Sequence, residues 1–404
     1  VAVTLQGDRF QVLLNGNVVL EATDGKYAKG GIGVTCAPGA HLRVDALGFF
    51  EEEVKAGLLK PRPAILTGPT LGGLKPGGFT VTWETSIPTP SSVEIIKGSE
   101  SRFVEGEPGD RLFHEVVVPE LEADTAYRYR VISGPIQSPV HGVQTPPVDA
   151  SRFRFCVYGD SRSAPDPHRF VIRAMRMQTP EFVLHVGDLV SNGSRYEDWA
   201  PEFFEPADWL LHSLPFYVCI GNHEKKGPWF DAFLPLPGNK RYYDFTHGSG
   251  YFVALDSNQS LKEGSEQLSW LKEALASSEA RAAAWRICFF HHPPFSESKK
   301  DYKPPKGLVE TVVPLLQQSG VDLLFTGHNH NYERGKIGNL GLVVTGGGGA
   351  PLCFEEDYRV RDLPEILITR SVHHACLVEV DGKTLTFSAF TPDGKVFDAF
   401  TLRK

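Results

Sequence analysis

No apolar run in the 404 residues comes near the roughly 18 that a membrane-crossing helix needs, so no membrane span is expected. Positive charge is also short. The 41 Lys and Arg against 49 Asp and Glu leave a formal charge of −8, which offers no basic patch for nucleic acid. The six cysteines (Cys36, Cys156, Cys219, Cys288, Cys353 and Cys376) fit neither a zinc-knuckle spacing nor a disulfide framework. Three of them, Cys156, Cys219 and Cys288, lie inside apolar runs, where a small buried hydrophobe is expected. The chain begins at Val1 without a signal-peptide pattern, as expected of a processed or trimmed protein. Methionine is scarce, at two residues, while 30 prolines, frequent in the first 150 positions, suit β-rich modules joined by stiff linkers. The remaining composition, 41% hydrophobic and 22% charged, is that of a globular chain long enough for two or three domains.

Residues 1–53 alternate in short strands with turn signals, including a hairpin at Asn15-Gly16-Asn17. This stretch resembles part of a jelly-roll sandwich of the laminin-G or concanavalin type, and residues 54–62 read as a linker. Residues 63–147 resemble a fibronectin-III-like sandwich. Trp83 lies on an early strand, and Tyr127 and Tyr129 alternate with Arg128 and Arg130, one face in and one face out. This module is expected to carry no chemistry. Residues 151–404 alternate strands with helical segments at 167–177 and 266–277, and close in a β-meander with Asp-Gly turns. The series predicts an α/β domain of two facing sheets flanked by helices.

Five strand-like runs in that domain end in metal-ligand residues. FRFCVY (153–158) leads to Gly159-Asp160, FVLHV (182–186) to Gly187-Asp188, and FYVCI (216–220) to Gly221-Asn222-His223-Glu224. WRICFF (285–290) leads to His291-His292, and VDLLFT (321–326) to Gly327-His328-Asn329-His330. In α/β sheets, ligands gather beyond the carboxyl ends of the strands. Oxygen and nitrogen donors without thiolate suit divalent or trivalent ions such as Fe, Zn or Mn, and two such ions close together suit phosphoester hydrolysis.

The order GD, GD, GNHE, HH, GHNH resembles the calcineurin-like metallophosphoesterase superfamily. The preceding module and the ending His328-x-His330-x-Tyr332-Glu333-Arg334 make the chain similar to purple acid phosphatases. The resemblance implies that Asp160 binds a first metal, that Asp188 bridges two, that Asn222, His291 and His328 complete the second site, and that His330 returns to the first. It gives His223 a contact with phosphate or a general-acid role. It also implies attack by metal-activated hydroxide on a small-molecule phosphate ester, in a secreted or periplasmic protein.

Two departures stand out. Where relatives have Asp-x-His, this chain has Asp160-Ser161-Arg162, and Ser191 stands where purple acid phosphatases place a Tyr ligand three residues after the bridging Asp. Arg162 either grips a phosphate or salt-bridges a nearby carboxylate. His168, at a helix start, is the candidate for the missing ligand. Gly346 to Gly349 lack the Lys and Ser/Thr of a phosphate loop and are expected to turn the chain close to the site. Three readings follow: a phosphomonoesterase of acid-phosphatase type, a phosphodiesterase of the same superfamily, or a carbohydrate- or surface-binding protein with a degenerate catalytic domain. The third would bind carbohydrate or a cell surface through its N-terminal modules.

Overall fold

Three short strands, β1 (Ala2–Gln6), β2 (Arg9–Leu14) and β3 (Asn17–Thr23), open the chain as an antiparallel meander. The computed structural model describes residues 2–6, 9–14, 17–23, 63–224, 227–298, 302–353 and 363–404. The remainder of the expected 1–53 module and the linker at 54–62 fall outside them.

Two antiparallel sheets follow. One has the order β4 (Ile65–Lys75), β5 (Gly78–Thr89), β8 (Arg111–Val118). The other runs β10 (Ile136–Gln137), β9 (Ala126–Ser133), β6 (Ser92–Lys97), β7 (Glu100–Glu105), with β11 (His141–Gln144) also paired to β9. Period-2 alternation on β9 buries Tyr127, Tyr129 and Val131 and turns Arg128 and Arg130 outward. These inward residues meet Leu71, Phe79, Val81 and Trp83 of the facing sheet in one core. Trp83 stacks on His114 at 4.6 Å and donates its Nε1–H to Ser133 Oγ at 2.8 Å, so its polar end is satisfied.

The rest of the chain is an α/β unit of two sheets. The first has the order β14 (Phe216–Val218), β13 (Phe182–His185), β12 (Arg152–Tyr158), β22 (Ala375–Asp381), β23 (Thr384–Phe390), β24 (Val396–Arg403). The strands β12, β13 and β14 are parallel, and the closing meander joins antiparallel along β12. The second sheet has the order β15 (Tyr243–His247), β16 (Gly250–Ala254), β17 (Trp285–Phe289), β18 (Leu323–Thr326), β20 (Leu340–Thr345), β19 (Tyr332–Ile337), β21 (Ile366–Arg370). Its β16, β17, β18 and β20 are parallel. Phe155 and Phe182 from the first sheet pack on Phe252 and Phe289 of the second in a shared aromatic core. Each fully buried aromatic or aliphatic side chain contributes about 1.5–3 kcal/mol, so this layer dominates the unit's stability.

Helices cover the outer faces. On α1 (Pro165–Met177), His168, Val171, Ile172 and Met175 recur at helical spacing and are all buried. The helix packs with α3 (Glu205–Leu211), which continues a π-helical turn at Ala200–Phe204. Across the second sheet, α5 (Glu266–Leu275) buries Leu268, Leu271 and Leu275 over Val253 and Leu324. Among the described residues, no helix is long and apolar enough to cross a membrane.

The sandwich is tied to the α/β unit by polar contacts as well as packing. Thr82 Oγ1 donates to the Phe233 carbonyl, Tyr129 Oη to that of His212, and Tyr196 Oη to Glu84 Oε1, each at 2.7 Å.

Candidate metal centre

The carboxyl ends of β12, β13 and β14 face those of β17 and β18, and the ligand-type residues sit in the turns that follow. Three of them, Asp160, Asp188 and His328, have positive φ (56°, 57° and 68°). That conformation is costly for a non-glycine residue and persists where the surroundings impose it. Glycines precede the ligands because space demands them. A Cβ on Gly221 would lie 2.1 Å from Asp188 Oδ1, and one on Gly327 would lie 2.4 Å from Asp160 Oδ2. The loop at 346–349 turns beneath the same site, where Gly348 N–H donates to the Gly159 carbonyl and Ala350 N–H to that of Asp160.

Asp160, Asp188 and His291 bring ligand atoms within 4.8 Å of one another, and so do His291, His292 and His328. Asn222 Oδ1 lies 3.1 Å from His291 Nε2 and 2.9 Å from His328 Nδ1. His330 Nε2 lies 3.5 Å from Asp160 Oδ1. His223 N–H donates to Asp188 Oδ1, and its Nε2 lies 3.7 Å from Asp188 Oδ2.

The tautomers test whether these residues fit metal ions. His291 Nδ1 must donate to the Val186 carbonyl at 2.8 Å, so Nε2 carries the lone pair. That lone pair faces two acceptor oxygens, Asn222 Oδ1 and, at 3.3 Å, Asp188 Oδ1. Acceptors facing one another in a buried site require a cation between them. Without metal, a proton serves: although burial alone would lower it, the Asp188 charge holds the His291 pKa up at about 9. Asp160 shows the opposite strain, raised well above the usual carboxylate range by burial and by Asp188. Asp188 is itself held low against its burial by His291 and His223. The donor set fits cations.

His168 does not join this group, which corrects the expectation that it supplies the missing ligand. It is fully buried on the inner face of α1, with Nε2 3.1 Å from Tyr158 Oη and Nδ1 2.9 Å from the Glu202 carbonyl. Both nitrogens are engaged away from the cluster, and burial lowers its pKa to about 4. Arg162 does enter the site. Its Nε lies 3.6 Å from Asp188 Oδ2 and its Nη2 3.4 Å from His330 Nε2.

Several supporting residues were not anticipated. Glu224, the last residue of GNHE, accepts the N–H groups of Asp188, Gly221 and Val190. Glu202, on the π-helical turn, accepts those of Ser163 and Ser191. Asn258 donates to the carbonyls of Ile220 and Gly221 and so braces the Asn222 loop. Only Glu224 carried a signal, its place in a ligand motif.

Comparison with known proteins agrees with this geometry. Residues 153–332 match the calcineurin-like phosphoesterase family model, so the chain carries a domain of that class. More narrowly, it is similar to purple acid phosphatases. It is 29% identical over 294 residues to purple acid phosphatase 18 of Arabidopsis thaliana, covering 65% of this chain and 64% of that protein. It is 26% identical over 308 residues to the phosphoenolpyruvate phosphatase of Allium cepa, covering 69% and 62%. The solved structure of purple acid phosphatase PPD1 from yellow lupin (Lupinus luteus) seeds shares the fold. It superposes with a TM-score of 0.72 at 19% identity over 83% of this chain and 74% of that one. The matches span less than two thirds of the length of these curated relatives.

Proposed function

We propose that this protein is a binuclear metal-dependent phosphoesterase acting on a small-molecule phosphate monoester, in a secreted or periplasmic setting. The observation that carries the reading is His291 Nε2 held against Asp188 Oδ1 and Asn222 Oδ1, a donor set that a metal ion fits and that a proton otherwise has to occupy. Asp160 and His330 would hold one ion, Asn222, His291 and His328 the other, with Asp188 between them. When bound, such ions supply Lewis acidity toward water and toward the phosphoryl oxygens.

The chain's own residues then orient substrate and move the proton. His223 Nδ1 donates to the Ser191 carbonyl at 2.5 Å, which fixes the ring and leaves Nε2 on the Asp188 side. In its protonated form, Nε2–H delivers a proton to the departing alkoxide. Arg162, whose buried Nε has no hydrogen-bond partner, supplies a charged donor for a phosphate oxygen. No observation on the described residues favours carbohydrate binding.

Nitrophenyl phosphate and bis-nitrophenyl phosphate, assayed on samples of measured metal content, test the reading. Monoester turnover that rises with metal content is the expected result. Preference for the diester would move the protein to the phosphodiesterase reading, and inactivity on both esters with two ions bound would overturn the proposal.

A further inference from the structure

We infer that Arg162 makes the metal position built on Asp160 and His330 the weaker, exchangeable one of the two, because its guanidinium engages atoms that an ion there would use. The inference rests on the binuclear reading above. His330 Nδ1 donates to the Pro351 carbonyl at 2.7 Å, so Nε2 holds the neutral ring's lone pair. Arg162 Nη2 stands 3.4 Å from that atom. One lone pair cannot serve a guanidinium and a metal together.

The bridging carboxylate is divided in the same sense. Asp188 Oδ1 faces His291 Nε2 at 3.3 Å, toward the second position, whereas Oδ2 faces Arg162 Nε at 3.6 Å. An ion placed at the first position therefore meets a fixed like charge in a site of reduced dielectric. The second position is framed by Asn222, His291 and His328, with Asn222 Oδ1 3.1 Å from His291 Nε2 and 2.9 Å from His328 Nδ1.

Arg162 is held there by its own loop. Its Nη1 donates to Ser163 Oγ at 3.0 Å, and Ser163 Oγ lies 2.8 Å from Ser191 Oγ. Glu202 Oε2 accepts the backbone N–H of Ser163 at 3.0 Å and of Ser191 at 2.6 Å, clamping the two ligand loops together. Ser191 thus occupies the place of an expected Tyr ligand and anchors the loop of the competing cation.

Calorimetric titration of Mn(II) into metal-free protein, with electron paramagnetic resonance at each equivalent, tests this. The wild type should bind one ion tightly and a second more weakly, with spin coupling appearing only in the second step. Arg162→Ala should tighten the weak step by roughly tenfold or more and leave the tight step unchanged. Arg162→Lys should keep the step weak, and Arg162→His should tighten it further by restoring a ligand. His330→Ala should abolish the weak step alone. Two equal steps in the wild type, or a weak step that Arg162→Ala does not alter, would overturn this inference and leave the phosphoesterase reading standing. A chain that takes up no Mn(II) would overturn both.

Discussion

Glu224 accepts the backbone N–H of Asp188 at 3.0 Å, so the third motif fixes the backbone of the second. The same carboxyl accepts Gly221 N–H and Val190 N–H at 3.1 Å, and burial beside Asp188 pushes its pKa up to about 8. Glu224→Ala strands three buried donors, each costing about 1–3 kcal/mol. We predict a stability loss above about 3 kcal/mol in urea unfolding and depleted metal content. Glu224→Gln, which keeps the shape and an acceptor, should lose less than half as much.

In the proposed assignment, Asp188 is the residue shared between the two positions. Asp188→Ala should remove both ions and the activity together, whereas Asp160→Ala should spare the second ion. Metal analysis of purified variants separates the outcomes. One ion retained in Asp188→Ala would show that Asp188 does not bridge.

His223 should matter most when the leaving group is poor. We predict that His223→Asn lowers kcat by about 10²-fold or more on alkyl phosphates and far less on nitrophenyl phosphate. A plot of kcat against leaving-group pKa checks this, and equal losses along the series would assign His223 to phosphate binding alone.

Among the described residues, the tyrosines near the site direct their hydroxyls to other partners. Ser191 bonds to Ser163, Tyr196 Oη donates to Glu84, and Tyr302 Oη donates to the Pro293 carbonyl at 2.6 Å. The iron-substituted protein should lack a strong visible charge-transfer band in absorption spectra.

His168 supplies a pH dependence of stability. Burial lowers its pKa from 6.5 to about 4, so the unfolded chain binds more protons in that window. Stability should therefore be fully present above pH 6.5 and fall as pH drops toward 4. The loss from this one group is on the order of 3 kcal/mol, from about 2.5 units at 1.36 kcal/mol each. Comparing unfolding free energies of wild type and His168→Gln across pH 4–7 isolates it; parallel curves would clear His168 of the effect.

The five ligand-bearing runs were legible because each combines a buried parallel strand with a turn, and both features are local. All five appear as strands, from β12 to β18. The three strands the pattern did not reveal, β15, β19 and β21, are pairing partners whose identity depends on distant neighbours. His168 was misplaced although its signal was present: it stands at helical spacing with Val171, Ile172 and Met175, which are buried. Reading it as part of that stripe would have sent it to the core. Glu202 left no such trace. Its role depends on bringing two loops to a π-helical turn 39 and 11 residues away, which only the tertiary fold does.

The glycine loop at 346–349 and the strand β22 at 375–381 both grip the turn that carries Asp160 or the strand leading to it. A chain ending at Tyr332 contains every proposed ligand yet lacks both, and should bind no metal when isolated. During synthesis, the same logic predicts that the first of these side chains, made early, bind no cation before that strand has arrived. Metal uptake should therefore follow completion of the sheet rather than accompany synthesis of the individual side chains.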